Sequence, residues 1–282
     1  MNYRHAFHAG NFADVVKHAV LARVVAHLRE KESAFRVIDT HAGSGLVRLS
    51  GPEARRTGEW RQGIGRLLAA TLAPEIRALL APYLDALAAY NVEGRMVAYP
   101  GSPLLALSWL RPQDRLIACE LVPAAAAALG RALGKDRRAK VITIDGWTAL
   151  TAYVPPKERR GLVLIDPPFE APGEFDRLAE HLVRAHRKWA TGIYLLWYPI
   201  KDRAETDRFG HRVAQLGVPK ILRAEIMIAT QNAKSLIGSG LLLVNPPWKL
   251  ETELKILLPA LAEVLRREPQ GTARVDWLAR EK

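Results

Sequence analysis

The chain has a single cysteine, Cys119, in 282 residues. That excludes an intramolecular disulfide and a multi-cysteine zinc site, and it favours a reducing compartment. No apolar run is long enough to span a bilayer. The opening stretch, residues 1–18, lacks the apolar h-region of a signal peptide. A cytoplasmic protein is therefore the expectation. The string H-E-x-x-H is missing, so no metal site is expected, although His5, His8, His18, His27 and His41 crowd the first 41 residues. The full G-x-G-x-x-G fingerprint of a dinucleotide fold is missing too, because position 48 is Arg. Acidic residues are few, 29 against 41 Lys and Arg, which leaves a net charge of +12. Such a surface attracts polyanions, with nucleic acid ahead of an anionic membrane; the plain alternative is a generic basic surface.

What is present fits a soluble globular chain, with 49% apolar and 25% charged residues. At about 150 residues per domain, the length suggests one large domain or a domain with an insertion. Asn11 to Glu30 reads as a helix, with Asn11 as N-cap and Asp14 in the first turn. Phe35 to Asp39 reads as a buried strand that runs into the glycine turn His41-Ala42-Gly43-Ser44-Gly45. Between Arg48 and about Val97 the spacing of Leu67, Leu68, Ile76, Leu79, Leu80, Leu84 and Leu87 is helical, broken by Pro74 and Pro82. Residues 48–97 thus read as a helical insertion.

A helix over Leu104 to Leu110 is followed by apolar strands at Leu116–Leu121, Val141–Asp145, Gly161–Asp166, Ile193–Tyr198, Ile221–Ile228 and Gly240–Asn245. Helices are expected at Ala124–Leu133 and over about Glu174 to Trp189. Apolar strands alternating with helices indicate a parallel sheet covered on both faces. The loop between the last two strands is too short for a crossover helix, so that pair is expected to be antiparallel.

Four strands end in an acid or beside one: Asp39, Glu120, Asp145 and Asp166. Ligands of open α/β sheets bind outside the carboxyl ends of the strands. Glu120 suits the two hydroxyls of a ribose, and Asp145, followed by Gly146, suits the exocyclic amine of adenine. A tight strand–helix turn without a ligand is the alternative for the glycines alone. Asp166-Pro167-Pro168-Phe169 is the strongest motif. Two prolines fix the backbone at the end of a strand, so that the Asp166 carboxylate and the Pro167 carbonyl point at one planar NH2 group, with Phe169 stacked on its ring. Methyl transfer to such a nitrogen needs two acceptors on its N–H bonds. Asn245-Pro246-Pro247-Trp248 has the same form, but it follows the strand assigned as antiparallel and so falls on the wrong rim. His41, inside the glycine turn, reads as a ligand contact. Basic clusters at Arg131, Lys135, Arg137, Arg138 and Lys140, at Lys157, Arg159 and Arg160, and at Arg184, Arg187 and Lys188 are expected to contact phosphates.

Several strings resemble the large-subunit ribosomal RNA methyltransferase J family. They are Tyr3-Arg4-His5-Ala6-Phe7-His8-Ala9-Gly10-Asn11 with Lys17-His18, Asp39-Thr40-His41-Ala42-Gly43, Tyr99-Pro100-Gly101-Ser102-Pro103, Asp166-Pro167-Pro168, Trp197-Tyr198-Pro199 and Asn245-Pro246-Pro247-Trp248. The resemblance spans nearly the whole chain. It implies a class I S-adenosylmethionine-dependent methyltransferase with a helical insertion, acting on the N6 amine of an adenine in 23S ribosomal RNA. It further implies a cofactor pocket of His18, His41, Ser102, Glu120, Asp145, Gly146 and Asp166, with Asp166 as proton acceptor and Tyr3, His5 and Lys17 near the target base. The chain departs from the family at Phe169, where Tyr is usual; stacking survives without the hydroxyl.

The expected architecture is an α/β, Rossmann-like methyltransferase domain of residues 1–47 and 98–282, with the helical insertion after its first strand. The expected cofactor is S-adenosylmethionine and the expected partner 23S ribosomal RNA, with no membrane and no obligate protein partner. The alternatives are guanine-N2 or DNA adenine-N6 methylation, or an RNA-binding module with a vestigial cofactor pocket.

Overall fold

The computed structural model describes residues 5–92, 95–230, 236–269 and 271–281. A short 3-10 turn, His5–Phe7, precedes helix α1, Phe12–Arg29. Asn11 caps α1 by accepting from the Asp14 N–H. Almost every face of α1 is buried, including Val15, Val16, Val20 and Val24 together with the polar Lys17 and His18. A helix covered all round lies inside the molecule, and α1 packs against helices and the sheet at once.

Strand β1, Arg36–Asp39, opens the sheet. The chain then makes β2, Leu46–Arg48, four helices, α2 Pro52–Thr57, α3 Glu59–Gln62, α4 Ile64–Ala69 and α5 Pro74–Ala88, and β3, Ala98–Pro100. Strands β2 and β3 pair antiparallel with Val47 opposite Tyr99, so the chain leaves and re-enters the sheet at one place. Pro74 starts α5, but Pro82 lies inside it and the helix runs on. Burial of Leu80, Tyr83, Ala86 and Leu87 offsets the proline's cost of about 3 kcal/mol, so the break expected at Pro82 is corrected. These helices share one core with α1.

The rest of the chain runs α6 Ser102–Trp109, β4 Arg115–Glu120, α7 Pro123–Leu133, β5 Ala139–Thr143, α8 Gly146–Ala152, β6 Gly161–Ile165, α9 Glu174–Lys188, β7 Ile193–Ile200, α10 Arg203–Ala214, β8 Ile221–Met227, β9 Gly238–Val244, α11 Leu250–Leu265 and β10 Thr272–Ala279. Sequence reading anticipated neither α10, which is highly charged, nor α11, which contains Pro259, nor the edge strand β10. The sheet order is β10-β8-β9-β7-β6-β1-β4-β5. Strands β5, β4, β1, β6 and β7 are parallel, while β9 is antiparallel to both neighbours and β10 to β8. Side chains alternate between the faces. Val37, Leu162 and Leu164 join the core with α1, and Ile38, Val163 and Ile165 join the core with α9.

Two placements follow from this topology. Strand β9 ends at Val244, opposite Tyr194 at the start of β7. Asn245 therefore lies on the amino rim of the parallel strands, where its side chain donates to the carbonyls of Ala190 and Gly192 at 2.8 Å each. The three basic clusters lie on that same rim, because residues 134–138, 157–160 and 184–188 lead into β5, β6 and β7. Arg131, Arg187 and Lys188 sit in the last turns of α7 and α9, where cations meet the helix dipole. Arg138 is held by Asp136, and Arg160 reaches the carbonyls of Leu28 and Ser33. Any phosphate contacts these clusters make thus lie away from the rim that carries the site. Among the described residues, no helix is long and apolar enough to cross a membrane.

Candidate active site

The carboxyl ends of β1, β4 and β6 carry the site. Asp39 ends β1, where its Oδ2 accepts from Ser102 Oγ at 2.6 Å and its Oδ1 from the His41 N–H at 3.3 Å. Burial raises its carboxyl to about 7. The turn after β1 is stitched to both neighbours, with the Thr40 N–H donating to the Leu164 carbonyl and the Ala42 N–H to that of Cys119. At the end of β4, Glu120 accepts from the Gly43 N–H at 2.9 Å and the Val122 N–H at 2.8 Å. A carboxylate has about four lone-pair sites, so both oxygens can accept more.

Asp145 does not end a strand as expected, because β5 stops at Thr143. It caps α8, its Oδ2 accepting from the Thr148 N–H at 2.9 Å. The cap still turns the carboxylate toward the same rim. Gly146 follows, and a Cβ there would lie 2.4 Å from the Thr40 carbonyl oxygen and 2.6 Å from His41 Nε2. Gly146→Ala is therefore expected to push the β1 turn aside, lowering the melting temperature and weakening cofactor binding at least about 10-fold, measured by calorimetry below that temperature.

His18 is buried on α1. Its Nδ1 pairs with the Tyr99 hydroxyl at 2.8 Å, which in turn meets the Tyr83 hydroxyl at 2.8 Å. Among the described residues its Nε2 has no hydrogen-bond partner. Burial lowers this imidazole to about 3 and that of His41 to about 4, so both rings are neutral at physiological pH.

Asp166 follows β6 and meets the Lys17 ammonium at 2.5 Å. Lys17 also contacts Asp14 Oδ1 at 2.9 Å, and Asp14 Oδ2 faces His5 Nε2 at 3.1 Å. Burial alone would lower Lys17, but the Asp14 and Asp166 carboxylates raise it above its ordinary value. Asp14 is held well below the carboxylate range, Lys17 and His5 outweighing its burial. Phe169 has φ +51°, rare for a bulky residue. This turns its ring edge-on to Phe175 and Trp197, with centroids 5.0 and 5.7 Å away.

Two cavities meet here. The larger, about 660 Å³, is lined by His18, His41, Ser102, Glu120, Asp145, Gly146 and Asp166. The smaller, about 350 Å³, is lined by His5, Lys17, Asp166, Phe169 and Trp197. Asp166, Lys17, His5 and Pro168 border both. The structure thus brings together every residue expected at the site except Tyr3, which lies outside the described residues. Asp14, Trp147, Arg177 and Trp197 were missed as site residues; Trp197 was legible in the string Trp197-Tyr198-Pro199. Among the described residues, no group of three His, Cys, Asp or Glu side chains is placed to hold a metal ion.

An open sheet of this order, with a nucleoside-sized cavity at its carboxyl rim and an Asp-Pro-Pro-aromatic segment beside it, defines a class I S-adenosylmethionine-dependent methyltransferase. Residues 32–279 match the family described as "Ribosomal RNA large subunit methyltransferase D, RlmJ". The chain is 39% identical to the ribosomal RNA large subunit methyltransferases J of Escherichia coli and Haemophilus influenzae, over the whole of each chain. A crystal structure of a Legionella pneumophila protein is 31% identical and superposes with a TM-score of 0.87, covering 95% of this chain and 98% of that one. The chain belongs to the RlmJ family.

Proposed function

We propose that this protein transfers a methyl group from S-adenosylmethionine to N6 of an adenine in 23S ribosomal RNA. The observation that carries this reading is the meeting of two cavities at Asp166, one fit for a nucleoside cofactor and one for a base. The relatives' names supply the RNA. In this reading the protein is cytoplasmic, and residues 48–97 form a helical subdomain set into the methyltransferase domain of 1–47 and 98–282.

The larger cavity fits the cofactor on two counts. Among the described residues His18 Nε2 is a buried polar atom without a partner, and Gly146 brings the start of α8 against the β1 turn more closely than any side chain would allow. Glu120 would take the ribose hydroxyls and Asp145 the adenine amine, with His18, His41 and Ser102 lining the walls. When bound, the cofactor supplies an electrophilic methyl on a sulfonium. Neutral His18 and His41 add no charge against that cation. Asp166 accepts an N–H of the target amine while the Pro167 carbonyl takes the other. The proton released by the nitrogen passes to the Asp166 carboxylate. Lys17 holds Asp166 Oδ2 in place, leaving Oδ1 for the amine. His5 and Lys17, with Tyr3, would border the base, and Phe169 would face its ring. A base inside a helix must be flipped out to enter.

Labelled methyl transfer to 23S ribosomal RNA, followed by mapping of the modified nucleotide, tests the proposal. Label on an adenine N6 supports it; label on a guanine, or only on duplex DNA, overturns it. Glu120→Ala is expected to weaken cofactor binding by about 1–3 kcal/mol, the range for a hydrogen bond to a charged group. Unchanged affinity by calorimetry would move the ribose away from β4.

A further inference from the structure

With the three basic clusters on the far rim, the cations that could meet RNA at the site are few. Besides Lys17, which is bound to Asp14 and Asp166, two line the smaller cavity: Lys201 and Arg267. Lys201 directly follows β7. Arg267 follows α11, and its N–H donates to the Ile228 carbonyl at 2.7 Å, which pins it beside the end of β8. Its guanidinium lies 5.5 Å from the Phe12 ring centroid. Both side chains are exposed.

Their place sets them apart: they are exposed cations beside the base-sized cavity that, among the described residues, are not taken up by a salt bridge. Arg23, Arg36, Arg111, Arg138 and Arg223 are each in a salt bridge with a carboxylate. Among the described residues, neither Lys201 nor Arg267 is. Of the acids in their cavity, Glu59 is hydrogen-bonded by His8 and Asn11 and feels Arg267 only through space, and Asp14 is held by His5 and Lys17. Two cations without ion-pair partners at the mouth of a base-sized cavity fit one chemistry. A flipped nucleotide inserts its base, but its phosphates carry a charge too costly to bury and must stay at the mouth.

We infer that Lys201 and Arg267 grip the backbone phosphates next to the flipped adenosine, and that they, rather than the basic clusters, supply the phosphate contacts at the site. This rests on the RNA reading above. Such contacts position the chain and carry no sequence information.

The test is methyl transfer to 23S ribosomal RNA over a salt series, with KM and kcat separated, for wild type, the double variant Lys201→Gln/Arg267→Gln and the far-rim variant Arg184→Gln/Arg187→Gln. The double variant is expected to raise KM about 10-fold or more with kcat and cofactor affinity nearly unchanged. Its dependence of log KM on log salt should flatten by about 1.4, since each contact to a single strand contributes about 0.7. Arg267→Lys, which keeps the charge, should restore most of the slope in the single-site comparison with Arg267→Gln. The far-rim variant should match wild type. A double variant with wild-type KM and slope overturns this inference alone, as does a far-rim variant that loses the slope in its place. A wild-type protein that methylates no ribosomal RNA overturns the functional reading, and this inference with it.

Discussion

Asp166→Asn is expected to lower methyl transfer at least about 100-fold while the protein stays folded and binds S-adenosylmethionine within a few-fold of wild type. The amide keeps the volume and one acceptor oxygen, but it cannot take the proton that the target nitrogen must lose. The fold should survive because Lys17 keeps Asp14 as a partner at 2.9 Å. Asp166→Ala is a harsher test, since it removes the Asp166 carboxylate altogether and leaves a nearly covered lysine with Asp14 alone. Single-turnover transfer of a labelled methyl measures the effect. Asn245→Ala, on the opposite rim, should transfer normally; loss there with activity retained in Asp166→Asn would move the reaction to the other motif.

Lys17→Met should be among the most destabilising single changes near the site. It leaves Asp14 and Asp166 facing each other in a region where their side chains are 3% and 16% exposed. Removing one partner of a buried ion pair costs about 3–5 kcal/mol. The pH dependence should also change sign. In the wild type, the folded Asp14 lies below its ordinary value of 3.8, so it contributes stability that is present above that value and lost as pH falls. Without Lys17, burial and the Asp166 carboxylate raise Asp14 against the His5 contact that remains at 3.1 Å, so stability is expected to be greatest in acid and to fall as pH rises. Melting curves at pH 5 and pH 8 test this. A variant that loses no stability on going from pH 5 to pH 8, relative to wild type, would mean that Lys17 does not hold the two acids together.

Much of the site was legible because its signals are local. An apolar strand that ends in Asp-Pro-Pro announces its own rim, and the β6 segment Gly161–Ile165 is indeed wholly buried with Asp166 just beyond it. The triad Asp14–Lys17–Asp166 was not legible, since 149 residues separate Lys17 from Asp166 and no periodicity reports on such a pairing. Asp145 was placed on the right rim for the wrong reason: Val141–Asp145 reads as strand, but the acid is drawn into an N-cap by the Thr148 N–H. The basic clusters were legible as charge but not as placement, because clustering measures charge and not direction. Their place just before parallel strands did hold the answer, because a segment entering such a strand lies opposite the ligand rim.

Helix α1 supplies both His18 and Lys17, yet its cover arrives late in synthesis. Arg23 is bound by Glu253, 230 residues downstream, and α11 packs along the same helix. At about 5–20 residues per second, a ribosome needs roughly 10–50 s to make that stretch. Throughout that interval a helix that is almost wholly buried in the finished fold has no completed core to enter, and until Asp166 is made its buried cation has only Asp14 as a partner. A fragment released before Glu253 would carry every residue of the cofactor cavity without the packing that holds α1 against it.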